Sequence, residues 1–298
     1  LCGAERFVLI ARYDRYRIRQ DSVICAECGL IQSMPRLTEA AFRDFYGSDL
    51  YRRLYNPQAL RLDATSFEAM VRVRSYRFEF VQTAPEWLKI RKVLELGCGG
   101  GWNLAPFARA GRTAIGYEPS PGLVSLGRSF GLDLRQGWSE DINESGFDLI
   151  ILSHVVEHFS DPVGTVKRLI PLLAPGGSFF IEVPNADHFI LNGLQTAHTY
   201  YFSPRTLRRY MGEAGLATDR IAEFTSHMGG IFRPVATKPG IDLANEYSHM
   251  RALLLSYQRR ERIKAALDRI GLLPAARHLW RRWRKAPAIV PTTGRSVE

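Results

Sequence analysis

Short apolar segments alternate with helix-length stretches through the middle of the chain. The segments are rich in Val, Ile, Leu and Phe, and they occupy residues 93–96, 114–117, 132–135, 147–152, 177–183, 216–223 and 230–236. Strands that alternate with helices are typical of a parallel sheet with helices on both faces. We therefore predict an α/β fold built on a doubly wound, Rossmann-like sheet.

The segments on either side of this pattern differ from it and from each other. Residues 1–45 hold three of the four cysteines, and residues 46–90 contain aromatic and arginine-rich stretches with apolar residues at helical spacing. Residues 239–298 become helical and basic. The pattern predicts four parts: a leader at 1–45, linking helices at 46–90, a core at 91–238 and a basic tail at 239–298.

Composition narrows the class of protein. A chain of 298 residues with 46% hydrophobic and 23% charged residues can build a sizeable core, which excludes a disulfide-stapled miniprotein and a disordered chain. Its apolar runs are far shorter than the roughly 20 residues that a membrane-spanning helix needs. No signal-peptide pattern is visible, so we expect a cytoplasmic protein whose cysteines serve as metal ligands or packing thiols.

The net charge of +10 is concentrated at one end of the chain. Residues 251–298 hold 12 Lys or Arg against three Asp or Glu, which accounts for nine of the ten net positive charges. The core is nearly neutral, so we expect no nucleic acid in its site. Within residues 251–285 arginines and tryptophans interleave with apolar residues, which favours amphipathic helices. Docking of these helices on the core or on a second subunit is the leading interpretation. Peripheral contact with an anionic membrane surface, which the Trp and Arg pattern suits, and nucleic-acid binding are the alternatives.

A glycine-rich loop follows the first predicted core strand and predicts a ligand site. The sequence Gly-Cys-Gly-Gly-Gly-Trp at residues 97–102 joins that strand to a helix, whose free amides can face a ligand. Dinucleotide sites place a third glycine where Trp102 stands, so that the pyrophosphate can approach. Glu95, inside the strand, opposes a phosphate and suits a cationic amino-acid group. Both residues favour S-adenosylmethionine over a dinucleotide.

The ends of the next two strands complete this site. Glu118 ends the second strand about 20 residues after the loop, where a carboxylate can accept both ribose hydroxyls of a nucleoside. A solvated acid at a strand end is the alternative. Residues 136–141 follow the third strand and could read the adenine edge through backbone amides, with Trp138 either on the adenine face or packed elsewhere.

Taken together, these motifs resemble class I S-adenosylmethionine-dependent methyltransferases. The His-x-x-Glu-His run at residues 154–158 and the His-Thr-Tyr-Tyr-Phe-Ser-Pro run at 198–204 are similar to the small-molecule branch related to ubiquinone and sugar methyltransferases, over about residues 90–237. The resemblance implies S-adenosylmethionine as cofactor. We expect methyl transfer to a hydroxyl, amine or carbon of a small molecule, with sugars, lipid-linked glycans and secondary metabolites as the leading acceptors. Related enzymes commonly have an acidic residue where Trp138 stands. The implied cofactor residues are Glu95, Gly97, Gly99, Gly101, Glu118, Ser139 through its backbone, and Ser153.

Three histidines are candidates for the chemistry. Methyl transfer is an in-line displacement that mainly requires alignment, and a base is needed only when the acceptor must lose a proton. His154 and His158 follow the fourth strand with Glu157 beside them, where open α/β sheets bind ligands. The sequence offers this pair no nearby third ligand, so we expect a pocket role and not a metal site. His198 precedes a predicted helix start at Ser203 and is a candidate base or acceptor ligand, a packed loop histidine being the alternative.

The leader carries a cysteine pattern typical of zinc sites. Cys25 and Cys28 form a Cys-x-x-Cys knuckle followed by glycine. Cys2 and Gly3 resemble the end of a second knuckle, whose first cysteine would precede Leu1, so the start of the chain is expected to be trimmed. The pattern resembles the zinc-binding leader of related methyltransferases and predicts a structural zinc at Cys2, Cys25 and Cys28. Packing thiols and a redox pair are the alternatives.

Two other functions are compatible with the sequence. A catalytically silent interaction protein would use the leader and the basic tail to bind a membrane or nucleic acid. A dinucleotide oxidoreductase would use the glycine loop in spite of Trp102. The sequence does not indicate the oligomeric state.

Overall fold

The computed structural model describes residues 2–55, 63–189 and 193–270. Met250 closes the larger compact unit, and the residues from Arg251 onward belong to a second unit. The larger unit holds a seven-stranded sheet and a smaller four-stranded sheet. The predicted division into four parts stays a prediction.

The seven-stranded sheet confirms the predicted strands, with ends that shift by a few residues. Its order is β10-β11-β8-β7-β4-β5-β6. The strands are β4 (Lys92–Leu96), β5 (Thr113–Glu118), β6 (Asp133–Gln136), β7 (Phe147–Ser153), β8 (Leu173–Pro184), β10 (Leu216–Phe224) and β11 (His227–Pro234).

The expectation of a parallel sheet is correct for β4 to β8 and wrong for the last two strands. β10 pairs antiparallel with β11, and β11 pairs antiparallel with β8. The reason is the short turn at Thr225 and Ser226, where Thr225 has a φ of 61°. Strands joined by so tight a turn form a hairpin, whereas parallel neighbours need a long crossover.

Helices cover both faces of this sheet, as predicted. Along β7, Leu149 and Ile151 pack in one apolar cluster, and Ile150 and Leu152 pack in the other. A strand buried on both faces needs apolar residues at every position, which is why residues 149–152 form a continuous apolar run. The helices of this unit are α3 (Ala64–Gln82), α4 (Ala105–Arg109), α5 (Pro121–Ser129), α6 (Pro162–Leu169), α7 (Ala186–Phe189) and α8 (Pro204–Glu213).

The same sequence signal starts two of these helices. Ser120 accepts a hydrogen bond from the Leu123 amide ahead of α5, and Ser203 accepts one from the Thr206 amide ahead of α8. Each serine is followed by a proline at the first helical position, where a missing N–H costs nothing. The predicted helix start at Ser203 is confirmed.

The leader folds as an antiparallel sheet that the core completes. The leader strands are β1 (Phe7–Tyr13), β2 (Arg19–Cys25) and β3 (Ile31–Met34). At the edge of this sheet β3 pairs with β9 (Tyr200–Tyr201), which begins two residues after His198. Two further helices, α1 (Glu39–Gly47) and α2 (Leu50–Tyr55), follow the leader sheet, so helical structure begins seven residues earlier than the predicted boundary at 46.

The last described helix, α9 (Glu246–Arg269), begins in the larger unit and continues into the second. Among the described residues no helix has both the length and the apolarity to cross a bilayer. Residues 271–285 of the predicted membrane-contacting tail lie outside the described part of the chain.

Candidate active site

The C-terminal ends of the parallel strands open into a cavity of about 620 Å³. This volume lies in the range of small-molecule and cofactor sites. The helices α1 and α2 contribute to its wall through Tyr46, Tyr51 and Arg52. The predicted residues that line the cavity are Gly97, Gly99, Glu118, Ser139, Ser153, His154 and His158.

The glycine loop forms one side of the cavity. Gly99 has a φ of 57°, and its amide donates a hydrogen bond to Glu118 Oε2 at 2.9 Å. A Cβ on Gly99 would lie 2.7 Å from Trp102 Cζ2, so glycine lets the indole ring lie against the loop. Trp102 lines the cavity where a dinucleotide site would need a glycine.

Gly101 contributes to packing and does not line the cavity. Its φ is 80°, and a Cβ there would lie 2.6 Å from Leu132 Cδ1. The glycine therefore lets the loop ahead of α4 pack against Leu132, next to β6, and against Leu134 of β6. Its predicted role in the cofactor site is indirect.

Glu95 lies beneath the cavity wall and has an unpartnered oxygen. Asn103, which lines the cavity, donates a hydrogen bond to Glu95 Oε1 at 2.6 Å, and Glu95 Oε2 has no partner among the described residues. Burial raises the pKa of Glu95 to about 8. A buried carboxylate oxygen without a donor suits a cationic group such as the amino group of S-adenosylmethionine.

Arg74 is a cavity residue that the sequence analysis did not identify. Its guanidinium lies 5.2 Å from the centre of the Trp102 ring, and within the described residues no carboxylate lies at ion-pair distance. Burial, together with the charge of Arg77, lowers the pKa of Arg74 to about 10. A partly desolvated arginine without an acidic partner suits the carboxylate of the same cofactor.

Glu182 is a buried acid beside the cavity, and unlike Glu95 it was not identified from the sequence. It lies on β8, forms an ion pair with Arg77, and accepts hydrogen bonds from Tyr76 Oη at 2.6 Å and Ser153 Oγ at 2.7 Å. Burial alone would raise its pKa, but the nearby charges of His154 and Arg77 lower it to about 2. The ion pair fastens α3 to the strand ends beside the cavity.

His154 stands at the end of β7 in a strained backbone conformation. Its φ is 55°, a region that residues other than glycine rarely adopt. Its Nδ1 lies 3.3 Å from Glu157 Oε1, and its Nε2 lies 3.8 Å from Glu182 Oε2. Strain of this kind is common at functional sites, and His154 lines the cavity between two buried carboxylates.

The other two histidines lie deeper. His158 lines the cavity, and its ring lies 4.7 Å from that of His198, which lies behind it and does not reach the lining. Burial lowers the pKa of His158 and lowers that of His198 further. After β7 the chain is helical only over Val156–His158, a short 3₁₀ helix, and His154 lies ahead of it.

Comparison with known proteins identifies the family. A family model described as a methyltransferase domain matches residues 44–221, which is more than half of the chain. This chain belongs to the methyltransferase domain family. The predicted family and the predicted S-adenosylmethionine cofactor are thereby confirmed.

Among curated relatives, this methyltransferase is similar to the ubiquinone biosynthesis O-methyltransferase of Azorhizobium caulinodans, with 28% identity over 170 residues. The match covers 50% of this chain and 65% of that protein, which is just under two thirds of the relative's length. The enzyme of the same name from Rhizobium etli is 26% identical over 191 residues, covering 57% of this chain and 75% of that protein.

A solved structure supports the fold of the methyltransferase. The magnesium protoporphyrin IX methyltransferase of Synechocystis PCC 6803, solved with bound S-adenosylhomocysteine, superposes with a TM-score of 0.50 at 16% identity. The superposition covers 66% of this chain and all of that one. The predicted α/β methyltransferase fold is confirmed.

The leader of the methyltransferase brings its three cysteines together. The sulfur atoms of Cys2, Cys25 and Cys28 lie within 4.8 Å of one another, and Cys2 Sγ lies 3.6 Å from Cys25 Sγ. Cys28 Sγ also lies 3.1 Å from Tyr210 Oη on α8. In the described ranges no fourth cysteine, histidine or acidic residue joins the group. Three converging thiols suit a zinc ion whose fourth ligand comes from elsewhere.

Proposed function

We propose that this methyltransferase transfers the methyl group of S-adenosylmethionine to an oxygen atom of a small molecule bound in the 620 Å³ cavity. The observation that carries the proposal is the arrangement of Glu118, the glycine loop and the unpartnered Glu95 oxygen around one end of this cavity. Oxygen is favoured as the accepting atom because the curated relatives at 26–28% identity are O-methyltransferases. Sugars, lipid-linked glycans and secondary metabolites remain the acceptor classes.

The charged residues around the cavity give the cofactor one orientation. Glu118 would hold the ribose hydroxyls, Glu95 with Asn103 would hold the amino group, and Arg74 would hold the carboxylate. Ser139, which also lines the cavity, would contact the adenine through its backbone. When bound, S-adenosylmethionine supplies an activated sulfonium methyl group, so the protein mainly has to align the acceptor.

His154 is the base that the geometry favours. Glu157 can fix the tautomer by accepting a hydrogen bond from Nδ1–H, which leaves Nε2 to take the proton of an acceptor hydroxyl. Glu182, 3.8 Å from Nε2, would stabilise the imidazolium that results. His158 and His198 are poorer candidates for this role because burial lowers their pKa values.

The test measures release of S-adenosylhomocysteine with a panel of hydroxylated acceptors, starting from sugars. His154→Ala should lower kcat by about 10²- to 10⁴-fold and leave S-adenosylmethionine affinity unchanged, because general-base catalysis contributes this much. His249→Ala, at an exposed histidine, is the control. An unchanged kcat in His154→Ala would remove the base role, and lost cofactor affinity would move His154 into the cofactor site.

We also infer a structural zinc in the leader, held by Cys2, Cys25 and Cys28. Elemental analysis of the full chain loaded with zinc should show one equivalent fewer in Cys28→Ser than in the wild type. Cys98→Ala, at a buried thiol of the glycine loop, should keep the full amount. Equal zinc in Cys28→Ser and in the wild type would exclude the leader site.

We also infer that the enzyme is cytoplasmic and contacts a membrane surface through its basic tail. The described part of this tail is helical as far as Arg269. The full chain should sediment together with phosphatidylserine vesicles at low salt, because exposed basic residues attract anionic lipids. Deletion of residues 251–298 should abolish this co-sedimentation. Equal co-sedimentation of the shortened chain would refute this inference.

A further inference from the structure

A buried cluster of Glu157, His158 and His198 lies behind the wall of the cavity. Glu157 and His158 follow β7, whereas His198 comes from the segment ahead of β9, so the chain brings them together from two places. All three are buried, with 0%, 6% and 6% of their surface exposed. Glu157 Oε1 lies 3.9 Å from His158 Nε2 and 4.0 Å from His198 Nε2.

The cluster lacks a partner for two of its polar atoms. Glu157 Oε2 and His198 Nδ1 are buried and have no hydrogen-bond partner among the described residues. In the same part of the chain, no lysine or arginine lies at ion-pair distance from Glu157, whose charged neighbours are histidines. Burying a carboxylate without a cation is unfavourable because the lost hydration of the charge is not compensated. A bound cation would remove this cost.

The hydrogen bonds of His158 leave one nitrogen free for a cation. Nδ1 lies 2.7 Å from the Ala197 carbonyl oxygen, to which it can donate, and also 2.7 Å from Tyr46 Oη. This fixes the tautomer with the Nε2 lone pair directed toward Glu157. A backbone carbonyl that orients the far nitrogen of a histidine is the usual support of a metal ligand.

His198 can serve the same cation. Its Nε2 contacts the side-chain amide of Gln195, whose Oε1 accepts a hydrogen bond from Arg15 at 2.9 Å, while Nδ1 has no partner. A cation would replace Gln195 as the partner of Nε2, which lies 4.0 Å from Glu157 Oε1. Each of the three residues thus offers one ligand atom, and these atoms lie within 4.8 Å of one another.

We propose that Glu157, His158 and His198 bind one divalent transition-metal ion, with zinc as the leading candidate. Two imidazoles and one carboxylate form a donor set that suits zinc or ferrous iron and discriminates against magnesium and calcium, which prefer oxygen ligands. Of the three residues, His158 lines the cavity, so a metal held by them would lie next to the acceptor site. A metal there can polarise an acceptor hydroxyl and favour its ionisation.

The proposal is tested by metal content and does not require an identified acceptor. Full-length protein is loaded with zinc chloride, desalted and analysed by mass spectrometry. Glu157→Gln and His198→Gln should each contain one zinc fewer than the wild type, and His249→Ala should contain the same amount as the wild type. Circular dichroism and the midpoint of thermal unfolding verify that each variant is folded, and binding of S-adenosylhomocysteine is measured separately by calorimetry.

The leader thiols are separated from this site by a cobalt experiment. Cobalt bound by thiolates has an intense near-ultraviolet charge-transfer band, whereas cobalt bound by histidine and carboxylate shows only weak visible bands. In Cys28→Ser the weak bands should remain, and His198→Gln should remove them. Equal zinc in the wild type, Glu157→Gln and His198→Gln, or no weak cobalt bands in Cys28→Ser, would overturn the proposal. Because cofactor binding is measured separately, its failure would contradict the proposed function and leave the metal result standing.

Discussion

Glu95 should make the binding of S-adenosylmethionine depend on pH. Burial raises the pKa of this carboxyl to about 8, and the cofactor's ammonium requires the ionised form. With that pKa, about one molecule in 100 has an ionised Glu95 at pH 6 and about half do at pH 8. The affinity should therefore rise about 50-fold from pH 6 to pH 8. Calorimetry at both pH values measures it, and buffers of different ionisation enthalpy count the proton released on binding.

Glu95→Gln provides the control because its side chain cannot ionise. Its affinity should be weaker than that of the wild type at pH 8 and nearly independent of pH, while Glu79→Gln, at an exposed position on α3, should behave like the wild type. The reasoning fails if wild-type affinity changes less than about threefold over this range, or if Glu95→Gln shows the same slope.

The same residue affects stability without cofactor. Because the folded-state pKa lies above the unfolded value of 4.5, the folded protein binds the extra proton between these two values. The contribution of Glu95 is thus fully present below about pH 4.5 and is lost as the pH rises through about 8. Urea unfolding of Glu95→Gln should show a smaller decline across this window than the wild type.

Two further changes test the packing that shapes the site. Arg77→Leu leaves the Glu182 carboxylate buried without its cation and should lower the free energy of unfolding by about 3–5 kcal/mol in urea titrations, whereas Arg72→Leu, at an exposed position, should have almost no effect. Equal losses of unfolding free energy in Arg77→Leu and Arg72→Leu would show that the ion pair does not stabilise the fold. Gly127→Ala places a Cβ 2.7 Å from the Gly100 carbonyl oxygen. This substitution should lower the free energy of unfolding by about 1–3 kcal/mol and weaken S-adenosylhomocysteine binding. Ser125→Ala, on the same helix, is the control. Normal stability and affinity in Gly127→Ala would contradict the close approach of α5 to the loop.

Local patterns were sufficient to predict the elements that build the cofactor end of the site. Strand, glycine loop and helix start are consecutive in sequence, and strand ends of a parallel sheet meet at one edge, so the position of Glu118 beside Gly99 follows from order alone. Gly101 differs, because its crowding by Leu132 depends on how α4 packs.

The acceptor end could not be predicted in the same way, because its residues are distant in sequence. Arg77 and Glu182 are 105 positions apart, and neither is unusual among its neighbours. The sequence offered no third ligand near His154 and His158, yet the fold brings His198 against Glu157 by adding β9 to the leader sheet. The placement of Tyr46 over His158 likewise depends on tertiary packing of α1.

The antiparallel hairpin of β10 and β11 marks another limit of the pattern. The apolar content of each segment predicts a strand but does not predict whether it runs parallel or antiparallel to its neighbour. That direction depends on the length of the segment that joins the two strands. The turn at Thr225 and Ser226 is short enough to indicate a hairpin.

The most direct test of the central claim is calorimetric titration of the full chain with S-adenosylmethionine, in the wild type and in Glu118→Ala. Loss of a charged acceptor for the ribose hydroxyls should reduce the free energy of cofactor binding by about 1.5–3 kcal/mol. We predict binding of one cofactor per wild-type chain and an affinity at least about tenfold weaker in Glu118→Ala. No binding by the folded wild type, or equal affinity in both proteins, would contradict the assignment of this cavity to S-adenosylmethionine.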